Sequence, residues 1–206
     1  MSFTRRTLIA AALAAGVAST AAAAPVINQA APAFTAKDAD GKVRSLNEFR
    51  GKVVVMEWTN EGCPYVRKHY DSGNMQGLQK RLTGEGVVWL TVASSSPGTQ
   101  GYVDGPAAKS MVRKEGAAPT AVLLDGDGKV GRAYDARTTP HMYVIDKAGK
   151  LVYMGGIDDK ATSDKADVRG AKNYVMAAVN DVRAGRPVAQ PVSKPYGCSV
   201  KYGRSS

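Results

Sequence analysis

The chain has 206 residues, of which 44% are hydrophobic and 22% charged, a composition typical of a folded domain with a full core. Its 28 basic residues exceed its 18 acidic ones, which gives a formal net charge of +10. The basic residues are scattered and do not alternate with aromatic residues as they do in single-strand binders. We therefore expect no nucleic-acid partner, in spite of the basic balance.

The first residues have the pattern of a secretory signal peptide. Arg5 and Arg6 precede a short apolar stretch, residues 8–17, and an alanine-rich end follows. The apolar stretch is too short to cross a bilayer, so no stable membrane insertion is expected once the signal is removed. We place the cleavage after Ala23, which makes residues 1–23 the signal, and the paired arginines leave the general and the twin-arginine routes both open. The mature protein is predicted to be exported, to the periplasm of a bacterium.

Residues 24–185 carry alternating strand and helix signals. Short runs rich in β-branched and apolar residues predict five strands. These strands are placed at residues 53–59, 87–93, 120–124, 142–146 and 151–155, with the last two joined as a hairpin. Strands that alternate with helices and close in a hairpin predict one α/β domain in which parallel and antiparallel pairings are mixed.

Helical signals fill the intervals between the strands. A helix is predicted to begin at Pro64, whose missing N–H costs nothing in a first turn, and to reach residues 78–82. Gly73 is expected to kink or break this helix. The clearest amphipathic helix is predicted over residues 167–184, where apolar residues recur at helical spacing. Residues 186–206 contain too much proline for a helix and are predicted to form a flexible tail.

The chain contains two cysteines, Cys63 and Cys198, and two histidines, His69 and His141. These four residues are not arranged as ligand pairs, so no structural zinc site is predicted. Export to an oxidising compartment would allow the two cysteines to pair. Cys63 stands directly before the helix predicted at Pro64, where unpaired N–H groups and the helix dipole favour a thiolate.

The order strand, Cys-Pro helix, strand, helix, Thr-Thr-Pro strand, hairpin and helix resembles the thioredoxin fold. The phrase VLLDGDGKVGRAYDARTTPHMYVIDKAGKLVYMGG, at residues 122–156, is similar to the redoxin branch of that fold. This branch contains the alkyl hydroperoxide reductase/thiol-specific antioxidant proteins and peroxiredoxin-like relatives. The resemblance covers residues 30–185, and it implies a three-layer α/β/α sandwich with a mixed central sheet.

The resemblance also implies roles for individual residues. Cys63 occupies the position of the family's nucleophilic cysteine. Pro140, after Thr139, matches the cis-proline that faces this cysteine. Glu57, six residues before Cys63, matches the buried acid that tunes proton transfer, although a buried and paired acid without a redox role is the alternative. These matches predict Cys63, Glu57 and Pro140 as catalytic residues.

Residues around the cysteine are predicted to meet the substrate. Pro64, Arg67 and Thr139 form the expected substrate-binding set. Arg67 lies one helical turn along and would help to lower the pKa of the cysteine, unless it belongs to a solvated helix face. His69 is predicted to be a surface or packing residue, and His141 is a candidate neighbour of the site because it follows the cis-proline.

The sequence departs from the family pattern at two places. Val66 stands where thioredoxins keep the second cysteine of Cys-x-x-Cys, so a vicinal disulfide is impossible. Peroxiredoxins carry a hydroxyl residue three positions before the cysteine and a proline further upstream. Here Asn60 occupies the first position and Met56 the second, with Thr59 one residue out of place. These departures weaken the interpretation as a peroxidase.

Cys198 is the only other thiol that could resolve an intermediate on Cys63. The working hypothesis is that the tail folds back and that Cys198 forms a disulfide with Cys63 in turnover. One alternative is a permanent disulfide that clamps the tail and stabilises the fold by about 2–4 kcal/mol. The other is a remote Cys198, with Cys63 acting alone beside an external thiol.

The sequence thus predicts an exported thiol-based redox protein without metal or organic cofactor. Its partners would be a thiol, disulfide or peroxide substrate and an external thiol reductant. One alternative is a non-catalytic or chaperone-like module that binds extended peptides beside Pro140. The other is metal delivery through Cys63 with Met142 or His141, since soft ligands of this kind suit Cu(I).

Overall fold

The computed structural model describes residues 24–204. The predicted signal peptide, residues 1–23, and the cleavage after Ala23 therefore lie outside the described residues. Within residues 24–204, no helix is long and apolar enough to cross a membrane.

A mixed β-sheet forms the centre of the domain. The strands are β1 (Thr35–Asp38), β2 (Val43–Ser45), β3 (Val54–Trp58), β4 (Val88–Ala93), β5 (Ala121–Leu124), β6 (Thr138–Thr139), β7 (His141–Ile145), β8 (Leu151–Gly155) and β9 (Cys198–Ser199). Seven of them form one sheet in the order β2-β1-β5-β4-β3-β7-β8, and β6 pairs with β9. Because β3 pairs parallel with β4 and antiparallel with β7, the predicted mixture of pairings is confirmed.

Helices connect the strands. They are α1 (Pro64–Asp71), α2 (Asn74–Gly84), α3 (Gly105–Glu115), α4 (Lys129–Ala133) and α5 (Tyr174–Arg183), with 3-10 turns at Leu46–Phe49 and Lys165–Val168. The predicted helix after Cys63 is broken between α1 and α2 at Gly73, whose φ of 73° is the left-handed conformation that glycine tolerates.

The central strand β3 is buried on both faces. Val55 faces an apolar cluster formed with α1, α2 and α5, whereas Met56 and Trp58 face a second cluster formed with α4 and the N-terminal segment. Burial of each such side chain contributes about 1.5–3 kcal/mol. The resulting three-layer α/β/α sandwich confirms the predicted fold class.

The last helix is shorter than predicted. A helix over residues 167–184 is wrong in its first third, because Gly170 adopts a φ of 83° and ends the 3-10 turn that precedes it. Asn173 then caps α5, its Oδ1 accepting the Met176 N–H at 2.9 Å. The apolar spacing that suggested a longer helix is therefore divided between two separate elements.

The described part of the C-terminal tail, residues 186–204, packs against the domain, which the prediction of a flexible tail did not anticipate. β9 pairs with β6, so that Cys198 lies opposite Thr139. On either side of β9, Tyr196 packs into one apolar cluster and Val200 into the other. Burial of these two apolar side chains holds the tail on the domain, which its proline-rich composition did not suggest.

Candidate active site

Cys63 lies at the junction of β3 and α1, as the N-cap residue of the helix. The chain turns at Asn60, whose carbonyl accepts the Cys63 N–H and whose Oδ1 accepts the Gly62 N–H, each at 3.0 Å. Pro64 occupies the first turn of α1, where its missing N–H leaves no bond unmade. Cys63 thus stands at the N-terminus of α1 as the sequence predicts, and the nearby Val66 N–H helps to lower the pKa of its thiol.

The tail brings Cys198 into direct contact with Cys63. The two Sγ atoms lie 2.7 Å apart, and both cysteines are free thiols in this structure. Cys63 Sγ also lies 3.1 Å from the Thr139 carbonyl oxygen, and the Cys198 N–H donates to Cys63 Sγ at 3.4 Å. Cys63 is completely buried, whereas Cys198 is partly exposed. This contact excludes the alternative in which Cys198 lies far from Cys63.

The two thiols have different acidities. Burial opposes ionisation of Cys63, but the Cys198 thiol and the nearby Val66 and Cys198 N–H groups hold its pKa below the ordinary value. Burial and the hydrogen bond to Cys63 raise the pKa of Cys198 to about 11. Cys63 therefore ionises first. Cys198 stays protonated, and its S–H group donates a hydrogen bond to the Cys63 sulfur.

The Thr139–Pro140 peptide bond is cis, the conformation that the resemblance implied. It lies where β6 meets β7, and β9 runs along β6 at this point. Gly197 permits the close approach, because its φ is 137° and a Cβ there would lie 2.0 Å from the Thr139 oxygen. The segment before Pro140 thus contacts both the nucleophile candidate and the tail.

Glu57 is fully buried on β3, on the same side of the sheet as α1 and α2. Its carboxyl group accepts hydrogen bonds from Tyr70 Oη (2.8 Å), Gln79 Nε2 (3.0 Å), Trp89 Nε1 (2.9 Å) and Thr91 Oγ1 (3.2 Å). Burial raises the pKa of Glu57, and these four donors oppose the rise. Within residues 24–204 neither cysteine is among its hydrogen-bond partners, so its catalytic role stays a prediction.

Arg67 points its guanidinium at acidic side chains rather than at the cysteine. It pairs with Glu115 at 2.8 Å and with Asp71 one turn along α1. These carboxylates neutralise the charge that was expected to assist Cys63. Arg67 also lines an open cavity of about 520 Å³ beside Gly62, where it remains a candidate for substrate contact.

The residues of the metal-delivery alternative lie on opposite faces of β7. Met142 is buried in the cluster that contains Cys63, whereas His141 packs on Tyr143 with ring centroids 4.6 Å apart. His141 Nδ1 faces the Arg137 N–H at 3.3 Å, and burial lowers the pKa of His141 to about 4. Among the described residues, no group of three or more His, Cys, Asp or Glu side chains could hold a metal ion.

Tyr196 adds a contact for which the sequence carried little signal beyond an aromatic residue close to Cys198. The residue is 8% exposed, and burial together with Asp158 raises the pKa of its hydroxyl. It meets Lys68 and His69 on α1, so His69 is a packing residue as predicted. The part of the tail that carries Cys198 is thus attached to the helix that begins after Cys63.

A model of the AhpC/TSA family matches residues 27–154. The chain belongs to the AhpC/TSA family. The matched region includes Cys63, Glu57 and the cis-proline Pro140, but it ends before the tail that carries Cys198. The family's conserved region therefore supplies one of the two thiols, and the second comes from outside it.

Individual relatives agree with this AhpC/TSA assignment. The chain is 26% identical over 129 residues to the thiol-disulfide oxidoreductase ResA of Bacillus subtilis (strain 168), covering 59% of the chain and 63% of ResA. The chain thus spans less than two thirds of this curated relative.

Solved structures confirm the thioredoxin-like fold. An uncharacterized conserved protein from Geobacillus kaustophilus superposes with a TM-score of 0.76 at 26% identity, over 88% of this chain and 94% of its own. A hypothetical protein from Sinorhizobium meliloti 1021 superposes with a TM-score of 0.73 at 23% identity, over 89% of this chain and 98% of its own. Both alignments extend well beyond the residues that the family model matches.

Proposed function

We propose that this AhpC/TSA protein is an exported thiol–disulfide oxidoreductase that cycles between a Cys63/Cys198 dithiol and a Cys63–Cys198 disulfide. The observation that carries the proposal is the 2.7 Å separation of the two sulfur atoms. The similarity to ResA, itself a thiol–disulfide oxidoreductase, supports the same reaction class. The missing peroxiredoxin hydroxyl at Asn60 disfavours peroxide as the main substrate.

In this proposal Cys63 is the nucleophile. Its thiolate attacks one sulfur of a substrate disulfide, the substrate S–S bond breaks, and the departing thiolate takes a proton from solvent. The product is a mixed disulfide on Cys63. Cys198 then loses its proton, attacks Cys63 Sγ and expels the second substrate thiolate, which takes up that proton. The substrate gains two electrons and becomes two thiols, and the protein is left with a Cys63–Cys198 disulfide.

An external thiol reductant completes the cycle by reducing this disulfide. The departing sulfur leaves faster when its pKa is lower, and the pKa of Cys63 is the lower of the two. Cys198 is also the more exposed sulfur. Both properties favour attack of the reductant on Cys198. The substrate would therefore react with Cys63 and the reductant with Cys198.

Access to Cys63 requires movement of the tail. Cys63 is completely buried beneath β9, which has two residues and pairs with β6. Opening breaks this short ladder and also disturbs Tyr196 and Val200, which are buried on either side of β9, so it is a local unfolding of the tail. We propose that β9 lifts to admit substrate beside Pro64 and Thr139, with Arg67 at the rim of the opening. Reversible opening distinguishes this cycle from a permanent disulfide.

The experiment is reduction of insulin disulfides by the mature protein with dithiothreitol as the external reductant. The wild type is expected to accelerate reduction, and Cys63→Ser to abolish the acceleration. Cys198→Ser is expected to accumulate a mixed disulfide on Cys63 that mass spectrometry detects. The proposal fails if wild type and Cys63→Ser reduce insulin equally, or if no Cys63–Cys198 disulfide forms at any glutathione ratio.

Peroxide consumption, measured in parallel, distinguishes the two redox reactions. Hydrogen peroxide is expected to oxidise Cys63 no faster than it oxidises a free thiol of similar pKa. Rapid oxidation that depends on Cys63 would instead identify a thiol-dependent peroxide reductase. Failure of both assays, with a folded protein, would favour the non-catalytic module that binds peptides beside Pro140.

Export rests on the signal-peptide pattern of residues 1–23. The mature protein is expected to begin at Ala24 and to be recovered from the periplasm of a bacterial host. Intact mass measurement of the periplasmic protein tests the cleavage position, and replacement of Arg5 and Arg6 by lysine tests the route. Loss of export on that replacement indicates the twin-arginine route, whereas continued export indicates the general one.

A further inference from the structure

A buried polar cluster joins α1 to the tail, next to the cysteines but without direct contact to substrate. Its members are Lys68 and His69 on α1, Asp158 in the loop after β8, and Tyr196 in the tail. Their exposed fractions are 1%, 0%, 4% and 8%, respectively. Such polar groups are retained inside a protein when each has a partner, so the contacts of each member show what the cluster holds.

The Tyr196 hydroxyl uses both of its hydrogen-bonding capacities. It donates to Asp158 Oδ1 at 2.5 Å and lies 3.1 Å from His69 Nε2. His69 Nδ1 faces the Asn74 amide nitrogen at 2.8 Å, which can only donate, so Nδ1 accepts and Nε2 carries the proton. Burial lowers the pKa of His69 to about 3, which keeps the ring neutral. The phenol oxygen therefore accepts from His69 while its proton goes to Asp158.

The acceptor for the phenol proton is held in place by groups outside the tail. Asp158 Oδ1 also accepts the Lys160 N–H at 3.0 Å. Asp158 Oδ2 lies 3.8 Å from Lys68 Nζ, which donates to the Lys160 carbonyl oxygen at 2.6 Å. Lys68 Nζ lies 5.5 Å from the centre of the Tyr196 ring. The cluster is thus a preformed site into which a single tail side chain fits.

Two members of this site lie on the helix that follows Cys63. Lys68 and His69 belong to the helix that begins one residue after Cys63, and Tyr196 is two residues before Cys198. Docking of Tyr196 therefore fixes the start of the short segment that carries the second thiol. A tether of two residues gives that thiol a high effective concentration at its partner.

We propose that Tyr196 is a positioning residue whose docking against Asp158 and His69 delivers Cys198 to Cys63 for resolution of the mixed disulfide. The proposal rests on the oxidoreductase function proposed above and adds a residue to it. Tyr196 does not touch the reacting atoms in this scheme. It acts through Cys198, because the docked tail returns that thiol to contact with Cys63, 2.7 Å away, after each opening of β9.

The test is Tyr196→Phe, which keeps the ring and removes only the hydroxyl. Loss of the hydroxyl leaves the His69 N–H without its acceptor and removes one donor from Asp158. The equilibrium constant for conversion of the Cys63–glutathione mixed disulfide, in which β9 is displaced, to the Cys63–Cys198 disulfide is expected to fall about tenfold, the scale of one hydrogen bond to a charged group. The mixed disulfide with glutathione on Cys63 is expected to persist longer in a single turnover.

Tyr134→Phe is the matched control. The Tyr134 hydroxyl is also buried and donates to the Pro32 carbonyl oxygen at 2.8 Å, but its ring belongs to the cluster on the opposite face of the sheet. This variant is expected to lose similar thermal stability and to keep the wild-type redox equilibrium. Asp158→Asn provides a second variant, in which the amide oxygen can still accept from Tyr196 but the carboxylate charge is lost. Its effect on the equilibrium should not add fully to that of Tyr196→Phe, because both changes act on the same bond.

The outcomes separate this proposal from the proposed function. Failure of the wild type to form a Cys63–Cys198 disulfide overturns both. Conversion of the Cys63–glutathione mixed disulfide to the Cys63–Cys198 disulfide with the same rate and equilibrium constant in wild type and Tyr196→Phe overturns only the positioning role of Tyr196. An equal loss in Tyr134→Phe also overturns it, because a general loss of stability would then account for the change.

Discussion

The two cysteines are held by parts of the chain that differ in almost every structural respect. Cys63 sits between a fully buried strand and a helix, within the region that the AhpC/TSA family model matches. Cys198 sits in a two-residue strand of a tail that lies beyond that region. The comparison teaches that one thiol is built into the scaffold, whereas the other is delivered to it by docking.

The largest effect is expected when a substitution at Gly197 blocks docking of the tail that carries Cys198. A Gly197→Ala side chain would meet the Thr139 oxygen and would place alanine at a φ of 137°. Backbone strain of about 1–3 kcal/mol, with the added clash, is expected to reduce about a hundredfold the equilibrium constant for conversion of the Cys63–glutathione mixed disulfide, in which the tail is displaced, to the Cys63–Cys198 disulfide.

Gly170→Ala is the control for this change. Gly170 has a φ of 83° and open space around it, so alanine there pays the backbone strain without a clash. It should destabilise the protein in urea but leave the disulfide equilibrium as in the wild type. If Gly197→Ala behaves in the same way as Gly170→Ala, the tail does not need its close approach to Thr139.

The next largest effect is expected for Glu57, on the strand that leads to Cys63. Glu57→Gln would place an amide N–H group among donors such as Trp89 and Gln79, and it is expected to lower the free energy of unfolding by about 1–3 kcal/mol. Urea denaturation of the reduced protein measures this loss. Unchanged stability would show that the four hydrogen bonds to Glu57 contribute nothing net.

The pH dependence of stability tests the same carboxyl group. The folded-state pKa of Glu57 is raised by burial, so the folded state keeps a proton that the unfolded chain loses above about pH 4.3. Stability from this group is therefore present below that pH and is lost as the pH rises through the folded pKa. Urea denaturation from pH 4 to 7 should show this decline in the wild type and a flatter profile in Glu57→Gln.

A smaller effect is expected on the pKa of Cys63 when Cys198 is replaced. The Cys198 thiol donates to Cys63, so Cys198→Ala is expected to raise the pKa of Cys63. Thiolate absorbance at 240 nm against pH should show the first ionisation of the reduced wild type below about 8.5, and a later one in the variant. The same titration midpoint in both proteins would contradict the hydrogen bond between the two thiols.

The smallest effect is expected at Arg67. Its guanidinium is engaged by Glu115 and Asp71, so Arg67→Gln should leave the pKa of Cys63 nearly unchanged, and the exposed part of this ion pair contributes at most about 1 kcal/mol. The absorbance titration checks the first point and thermal unfolding the second. A clear rise in the pKa of Cys63 would show that Arg67 acts on the thiolate despite its partners.

Local chemistry was enough to predict the fixed half of the site. The β-branched run before Cys63, Pro64 in a first helical turn and the break at Gly73 are each determined by residues only a few positions apart. The same holds for the mixed pairing around the β7–β8 hairpin. Propensity and periodicity act over such short distances, so the sequence by itself determined these elements.

Only the tertiary structure decided the position of the tail and the start of α5. Cys198 contacts Cys63 across 135 positions of sequence, and no local pattern encodes a contact of that separation. Its docking depends on the Tyr196 site, whose partners come from α1 and the loop after β8. Burial and hydrogen bonding between distant segments outweigh the proline-rich composition that suggested a flexible tail, because those interactions exist only once the sheet and helices are assembled.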